Sequence, residues 1–205
     1  MSSRTNIGQL ERATQDRIVN LFRDKRLSNW LGYRYLGNWE EEPRTSNIEV
    51  DELRKFLTET QGYSDQVVSK AILDVQRVAG DQSKSLYEAN KEFYRLLRYG
   101  VKIREVAGES KQDVWLIKWK EPENNDFAIA EEVTVIGDHT KRPDIVLYVN
   151  GIALGVIELK RSINDVATGV RQNLLNQKKE YIERFFTTMQ LVMAGNDTRS
   201  ALRND

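Results

Sequence analysis

The segment PDIVLYVNGIALGVIELK, residues 143–160, decides how the rest of this chain is interpreted. Two apolar runs flank Asn150-Gly151, a dipeptide typical of a β-hairpin turn. Both runs are apolar at nearly every position, which predicts a central pair of strands covered on both faces. Three charged residues interrupt this background, Asp144 at its start and Glu158 and Lys160 at its end. Because isolated buried charges are costly, these three residues are candidates for a functional site.

The geometry of the turn decides whether the three charges meet. Glu158 and Lys160 are two residues apart on one strand and therefore share a face. A plain two-residue turn pairs Asp144 with Ile157 and puts Asp144 on the opposite face. A three-residue turn pairs Asp144 with Val156 instead, so that Glu158 becomes its diagonal neighbour at about 7–8 Å. The charges therefore predict a bulged three-residue turn, or an equivalent bulge.

Two carboxylates and a lysine in this arrangement suit phosphodiester hydrolysis. Carboxylates at that separation can share a magnesium ion, which prefers oxygen ligands and binds phosphate oxygens. Such an ion lowers the pKa of a bound water, and a neighbouring lysine can position that water or offset growing negative charge. Chance remains an alternative, because the chain has 31 acidic and 31 basic residues and contains a second E-x-K at Glu109-Ser110-Lys111, in a polar turn.

The composition excludes several other kinds of site. The chain has no cysteine, which rules out disulfides, thiolate zinc sites and cysteine nucleophiles, and fits a reducing cytoplasm. His139 is the only histidine, so histidine-rich metal sites are excluded as well. The formal net charge is zero, so contact with DNA would need a local basic patch or a larger assembly. No apolar run approaches the roughly 20 residues of a membrane span.

The hydrophobic pattern predicts an α/β protein with a mainly helical part over residues 1–100 and a sheet-bearing core over residues 101–205, packed as one unit. Helices are predicted over about residues 8–26, 48–60, 65–79, 83–100 and 165–186, with Asn47 and Ser64 as N-caps of the second and third. Strands are predicted in residues 101–105, 113–120, 127–137, 143–149, 152–160 and 189–195. In the second of these strands, Trp115 and Trp119 share a face by parity and are expected to cover the sheet.

The hairpin resembles the nuclease segment of the R (restriction) subunit of type I restriction enzymes. Outside the hairpin, LGYRYLGNWEEEPRTSNIE, LYEANKEFYRLLRYGVK, VWLIKWKEPENNDFAIAEEVTV and FFTTMQLVMAGND also resemble stretches of that subunit, so the resemblance covers nearly the whole chain. It implies a restriction-endonuclease-like fold of PD-(D/E)xK type, with a helical N-terminal half packed on a mixed β-sheet. It also implies magnesium-dependent cleavage of double-stranded DNA.

The resemblance also implies roles for individual residues. Asp144 and Glu158 match the family's metal-binding carboxylates, and Lys160 matches the lysine that acts on the attacking water or the transition state. The family carries a Q-x-x-x-Y motif on the next helix, important for activity and DNA contact, and Gln172 matches its glutamine by position. Asn176 stands where the tyrosine is expected, and Tyr181 is a displaced alternative. A glutamate often placed near the metals on the first helix is matched here by Gln15, with Glu11 and Asp16 nearby.

Partners follow from the same resemblance. The full-length subunit carries an ATP-driven DNA motor and docks on specificity and modification subunits, whereas this chain has no G-x-x-x-x-G-K-[ST] phosphate loop. We therefore expect a fragment of a longer subunit that does not itself bind ATP. The candidates for DNA contact are Lys141, Arg142, Arg161, Arg171, Lys178 and Tyr181.

Two other interpretations stay open at this point. The chain can be a catalytically inactive DNA-binding or assembly module of the same complex, or a different PD-(D/E)xK enzyme such as a repair nuclease. A solvated amphipathic helix also accounts for several of the basic residues near the hairpin.

Overall fold

A computed structural model describes residues 3–106, 108, 110–160 and 166–196, with side chains described from residue 12 onward. Its α-helices are α1 (Ser3–Arg23), α2 (Val50–Lys55), α3 (Asp65–Ala79), α4 (Leu86–Tyr99) and α5 (Val166–Asn176). Its strands are β1 (Arg34–Asn38), β2 (Val101–Ile103), β3 (Gln112–Val114), β4 (Phe127–Glu131), β5 (Ile145–Val149), β6 (Ile152–Lys160) and β7 (Leu191–Asn196). A π-helical turn at Phe56–Thr60 extends α2, and short 3-10 helices lie at Pro122–Asn124 and Glu183–Thr187.

Five strands form one mixed sheet in the order β1-β4-β5-β6-β7, and β2 and β3 form a small separate hairpin. The two outer pairs are parallel and the two inner pairs are antiparallel. The predicted α/β class with a mixed sheet is thus confirmed. β5 and β6 lie inside the sheet, as their uninterrupted apolar runs predict.

Each face of the sheet has its own cover. The face of Ile145, Leu147 and Ile157 packs against Val19 and Phe22 of α1. The opposite face packs against the segment that follows α5, which contributes Ile182, Phe185, Phe186 and Met189. A third apolar cluster joins α2, α3, α4 and the β2-β3 hairpin. Two of these helices start where the sequence supplies a cap, because Ser64 and Ser85 accept hydrogen bonds from the first turns of α3 and α4.

The tip of the β5-β6 hairpin packs against the third apolar cluster, the one formed by α2, α3, α4 and the β2-β3 hairpin. Asn150 and Gly151 both have positive φ, 52° and 79°, as a two-residue hairpin turn requires. A β-carbon on Gly151 would come within 2.7 Å of the Glu49 carbonyl oxygen, so only glycine fits here. The buried Asn150 amide bridges the tip to the preceding loop, donating to the Leu116 carbonyl and accepting from the Asp126 amide. Glu158 and Lys160 lie at the other end of β6 from this tip.

Several local predictions are wrong. The helix predicted to reach residue 186 ends at Asn176, because Ile182 and Phe185 must turn inward to cover the sheet. Trp115 and Trp119 do not share a strand face, since β3 ends at Val114 and the Asn125 side chain holds the following loop through the Lys118 backbone.

Asn47 is not an N-cap either. The helix begins later, at Val50, and the Asn47 amide donates to the carbonyl oxygens of Arg184 and Phe185 instead. No helix in the described part of the chain is long and apolar enough to cross a membrane.

Candidate functional site

The β5-β6 register brings Asp144 and Glu158 to the same face. The turn has two residues, with Val149 paired to Ile152, so the predicted three-residue turn is wrong. A bulge at Leu154 replaces it, because the pairs are Tyr148 with Ala153 and then Leu147 with Gly155. This is the equivalent bulge that the sequence predicts as the alternative. Continuing from Ile145 opposite Ile157, Asp144 stands directly across from Glu158.

Glu158 is almost completely buried, at 1% exposure. Its Oε1 accepts a hydrogen bond from the Lys160 ammonium at 3.1 Å and another from the Gln172 side-chain amide. Lys160 is itself only 12% exposed, so this ion pair is largely shielded from water. Three of the four predicted catalytic residues therefore form one connected group.

Asp144 is tied to the same strand through the backbone. Its Oδ2 accepts from the Leu159 amide at 2.5 Å. Its own carbonyl accepts from the Glu132 amide, and the Pro143 carbonyl accepts from the Val133 amide. Held on both sides in this way, the carboxylate stays at the entrance of β5, across from Glu158.

Helix α5 approaches the sheet closely enough to place Gln172 over Glu158. The approach depends on Gly169, where an added β-carbon would come within 2.9 Å of the Ala194 Cβ and 3.5 Å of the Lys160 Cγ. Asn173 is buried on the same side and donates to the Met193 carbonyl at 3.0 Å. The glycine and the asparagine therefore fix both the distance and the rotation of the helix.

The donor set fits a hard divalent cation. Carboxylate oxygens are the ligands that magnesium prefers, and magnesium usually keeps several waters, so one or two carboxylates suffice. Within the described residues there is no cluster of three or more acidic, histidine or cysteine side chains that could hold a metal. Asp144 and Glu158, facing each other with a lysine beside them, are the pair that we consider for such an ion.

The residues expected to contact DNA have different surroundings. The Lys141 ammonium lies 4.5 Å from the centre of the Tyr181 ring, and the His139 ring packs 5.5 Å from the same ring. Arg142 is engaged by two carboxylates, Glu132 at 2.9 Å and Glu40. Tyr181 thus contacts the loop before Asp144 and is not on α5.

The remaining candidates for DNA contact are Arg171, Lys178 and Arg161. Arg171 and Lys178 are exposed, the former on α5 and the latter in the turn after it. Arg161 lies outside the described residues. Asn176, at the tyrosine position of the motif, is buried at 2% exposure.

Gln15 lies on the other face of the sheet. Its amide donates to Glu131 Oε2 at 3.0 Å, and Glu131 also accepts from the Tyr35 hydroxyl and pairs with Arg12 at 3.1 Å. Because Glu131 pairs with Ile145, it points to the face covered by α1 rather than toward Glu158. Asp16 pairs with Arg12 at 3.0 Å, and the side chain of Glu11 lies outside the described part.

This second buried carboxylate was missed by sequence reasoning. The available signal was a glutamate at the end of the apolar run Phe127–Glu131, a position comparable to that of Glu158 in its own strand.

Known proteins resemble this chain over most of its length. The family model "Type I restriction enzyme R protein N terminus" matches residues 13–202. The "Putative type I restriction enzyme MjaVIIIP endonuclease subunit" of Methanocaldococcus jannaschii is 26% identical over 180 residues, which cover 83% of this chain and 17% of that protein. The MjaIXP endonuclease subunit of the same organism, also described as putative, is 27% identical over 157 residues, 71% of this chain and 15% of the relative. The chain thus spans less than a fifth of either relative.

Proposed function

Because this chain belongs to the family of the type I restriction enzyme R protein N terminus, we propose that it is the nuclease domain of such a subunit and cleaves double-stranded DNA with magnesium. The observation that carries the proposal is the position of Asp144 directly across from Glu158, with Lys160 and Gln172 bonded to Glu158. On the same ground we assign the sheet to the PD-(D/E)xK type.

Each residue of the group has a definite task in this proposal. Asp144 and Glu158 would hold magnesium, which supplies an activated water and neutralises charge on the scissile phosphate. Lys160 stabilises negative charge at the phosphate, and its shielding from solvent strengthens that effect. Gln172 donates to Glu158 and so fixes the orientation of a ligand carboxylate.

The DNA backbone is expected to approach from the loop that leads into β5. Lys141, three residues before Asp144, packs on the Tyr181 ring there, and the two can contact a phosphate as a unit. Arg142 would act differently, because its ion pairs with Glu132 and Glu40 brace the loop. Arg171 and Lys178 remain candidates for contacts farther along the duplex.

The wider assembly is part of the proposal as well. The named relatives are endonuclease subunits, and this chain spans 17% and 15% of them. We therefore propose that an ATP-driven motor in the longer subunit and separate specificity and modification subunits bring DNA to this site.

The test is cleavage of supercoiled plasmid with magnesium or with EDTA. Wild type is compared with Glu158→Ala and Lys160→Ala, and with Glu131→Gln as a control that changes a buried glutamate on the opposite face. We expect cleavage only with magnesium, a loss of at least about 100-fold in the two site variants, and activity in the control. Equal cleavage by all four proteins would rule out the assigned site.

If the isolated chain does not cleave DNA, the same variants are tested in the longer subunit, assembled with its partner subunits and supplied with ATP. Loss of cleavage with unchanged ATP hydrolysis supports the nuclease role. Unchanged cleavage would identify the domain as an inactive DNA-binding or assembly module. Manganese binding measured by calorimetry gives an independent readout, which Glu158→Ala is expected to weaken and Glu131→Gln is not.

A further inference from the structure

One face of α4 carries exposed aromatic and basic side chains in alternation. Tyr87, Lys91, Tyr94 and Arg98 follow each other at spacings of four, three and four residues, which aligns them along a single side of the helix. Tyr87 is 72% exposed and Tyr94 is 47% exposed. The opposite side buries Ala89, Phe93 and Leu97. We call the four exposed residues the α4 row.

The α4 row is cationic although the chain as a whole has no net charge. The two acidic residues of the helix are used elsewhere, Glu88 in the capping box with Ser85 and Glu92 in an ion pair with Lys84. Among the described residues, no carboxylate lies within salt-bridge distance of Lys91 or Arg98. Lys91 lies 5.7 Å from the centre of the Tyr87 ring, and both cations are exposed to a ligand.

A pocket between two tryptophans continues the row at its C-terminal end. The cavity, of about 510 Å³, is lined by Trp115, Trp119 and the basic residues Arg98, Lys118 and Lys120, together with Glu121, which pairs with Lys118 at 3.4 Å. The Trp119 indole is fixed by a hydrogen bond to the Leu97 carbonyl at 2.9 Å, and the Arg98 guanidinium lies 5.7 Å from its ring. The tryptophans remain 39% and 48% exposed.

We propose that the α4 row and the tryptophan pocket bind single-stranded nucleic acid. Exposed rings interleaved with cations are the arrangement on which bases stack while the cations follow the phosphates. Residues seven apart on a helix are separated by about 10.5 Å along its axis, so Tyr87 and Tyr94 can each stack a separate base. The pocket offers two indole surfaces to a planar base, and Arg98 and Lys120 beside them suit the attached phosphate.

This surface is separate from the carboxylate site. The tryptophan pocket adjoins the loop bonded to Asn150 at the hairpin tip, whereas Asp144 stands at the other end of β5. Five residues of strand separate those ends by about 17 Å. The proposal therefore goes beyond the proposed cleavage and does not depend on it.

The experiment measures fluorescence anisotropy of a labelled 12-nucleotide oligothymidine, with a 12-base-pair duplex for comparison. EDTA is present, so nuclease activity plays no part. We expect the 205-residue chain to bind the single strand more tightly than the duplex. Tyr94→Ala and Trp119→Ala are each expected to weaken binding at least 5-fold, the lower end for a stacked base. Tyr94→Phe, which keeps the ring, is expected to bind like wild type.

Two controls separate stacking from general charge. Tyr99→Ala changes an exposed tyrosine on the same helix that is outside the row, and is expected to leave binding unchanged. The double variant Lys91→Ala/Arg98→Ala is expected to reduce the slope of log affinity against log salt by about 1.4, because two phosphate contacts are lost.

Three outcomes would overturn the proposal. The first is the absence of single-strand binding. The second is equal loss in Tyr94→Ala and Tyr99→Ala. In the third, Tyr94→Ala and Trp119→Ala bind like wild type while the cation variant does not, which would indicate a charged surface for a protein partner. Each comparison is valid only for variants whose circular dichroism and melting temperature match wild type.

Discussion

Two buried glutamates flank the central strand β5 and lead to opposite conclusions. Glu131 on β4 is 5% exposed and Glu158 on β6 is 1% exposed, and each accepts a hydrogen bond from a glutamine on a helix that covers its face. Burial and a glutamine partner therefore do not distinguish a structural carboxylate from a functional one.

The remaining neighbours do distinguish them. Glu131 is surrounded by donors, namely Gln15 and Arg12 from α1 and the Tyr35 hydroxyl from β1, so its charge is compensated by the fold. Glu158 faces Asp144 when the β5-β6 register is continued by one residue, and the Asp144 carboxylate accepts from the Leu159 amide. Facing carboxylates disfavour each other's charged form unless donors or a cation compensate them, and magnesium is the cation that we propose for this position. The first arrangement holds α1 to the sheet, and the second is suited to chemistry.

The largest expected effect is on stability, in Glu131→Ala. The substitution leaves the buried Gln15 amide and the partly buried Tyr35 hydroxyl without their acceptor, which is expected to lower the free energy of unfolding by about 2–4 kcal/mol. Urea unfolding followed by tryptophan fluorescence measures it as a lower midpoint at unchanged slope. Glu158→Ala is expected to lose less, because Lys160 and Gln172, the donors that it frees, are only partly buried and can reach water, whereas Gln15 is buried. Equal losses would remove the distinction between the two glutamates.

A slightly smaller effect is expected from Gly169→Ala, which tests how α5 serves Glu158. The new β-carbon would lie 2.9 Å from the Ala194 Cβ, so the helix must shift, at a cost of about 1–3 kcal/mol, and Gln172 must move with it. We expect weaker metal binding and slower cleavage, both restored by a second substitution, Ala194→Gly.

Gly195→Ala is the matched control for that prediction. Its β-carbon would meet Leu159 at an ordinary 3.7 Å, so it is expected to behave like wild type. A Gly169→Ala variant with normal metal affinity, or one that Ala194→Gly fails to restore, would show that the close approach of α5 is not needed.

The sequence predicts the hairpin and the shared face of Asp144 and Glu158 well, since both depend on local pattern. The two apolar runs and the Asn150-Gly151 pair between them predict the turn, and the charges require a bulge. The sequence signal for the position of that bulge is Gly155 inside an apolar strand, where an added β-carbon would come within 3.0 Å of the Leu147 side chain. The alternation of side chains between the two faces cannot distinguish a longer turn from a bulge within the strand, because each of them shifts the register by one residue.

Features that depend on distant partners were not predictable. The donors of Glu131 come from residues 96 and 116 positions away, Tyr35 and Gln15, so no local pattern marks this glutamate as structural. The end of α5 at Asn176 is set by the need of Ile182 to reach the sheet, and the helical period continues past it. Local propensity was overridden there by tertiary packing.

The two glutamine partners give the next prediction, and their roles should differ. Gln172→Ala removes a hydrogen bond that orients Glu158, and loss of such a partner typically weakens metal binding by about 10-fold or more. Gln15→Ala is expected to leave metal affinity unchanged and to lower the unfolding free energy by about 1 kcal/mol, because one buried hydrogen bond is lost. Calorimetric titration with manganese and urea unfolding measure the two quantities. If Gln15→Ala weakened metal binding and Gln172→Ala lowered only the unfolding free energy, the roles assigned to the two faces would be wrong.

The smallest effect should appear in the pH dependence of stability, through Tyr35. Burial, followed by the hydrogen bond to Glu131, raises the pKa of Tyr35 to about 12. Folding therefore favours the neutral phenol. Its contribution is fully present below the unfolded pKa of about 10 and is lost as the pH rises through the folded value.

Tyr35→Phe is thus expected to melt at a lower temperature than wild type at pH 8, with a difference that shrinks above pH 10 as wild type loses its own contribution. Tyr99→Phe, at an exposed position, should follow the wild-type curve throughout. Parallel melting curves for Tyr35→Phe and wild type between pH 8 and pH 11 would mean that the hydroxyl does not hold Glu131. The structural glutamate would then depend on Arg12 and Gln15 alone, and would be closer in its surroundings to Glu158, which also has one cation and one glutamine.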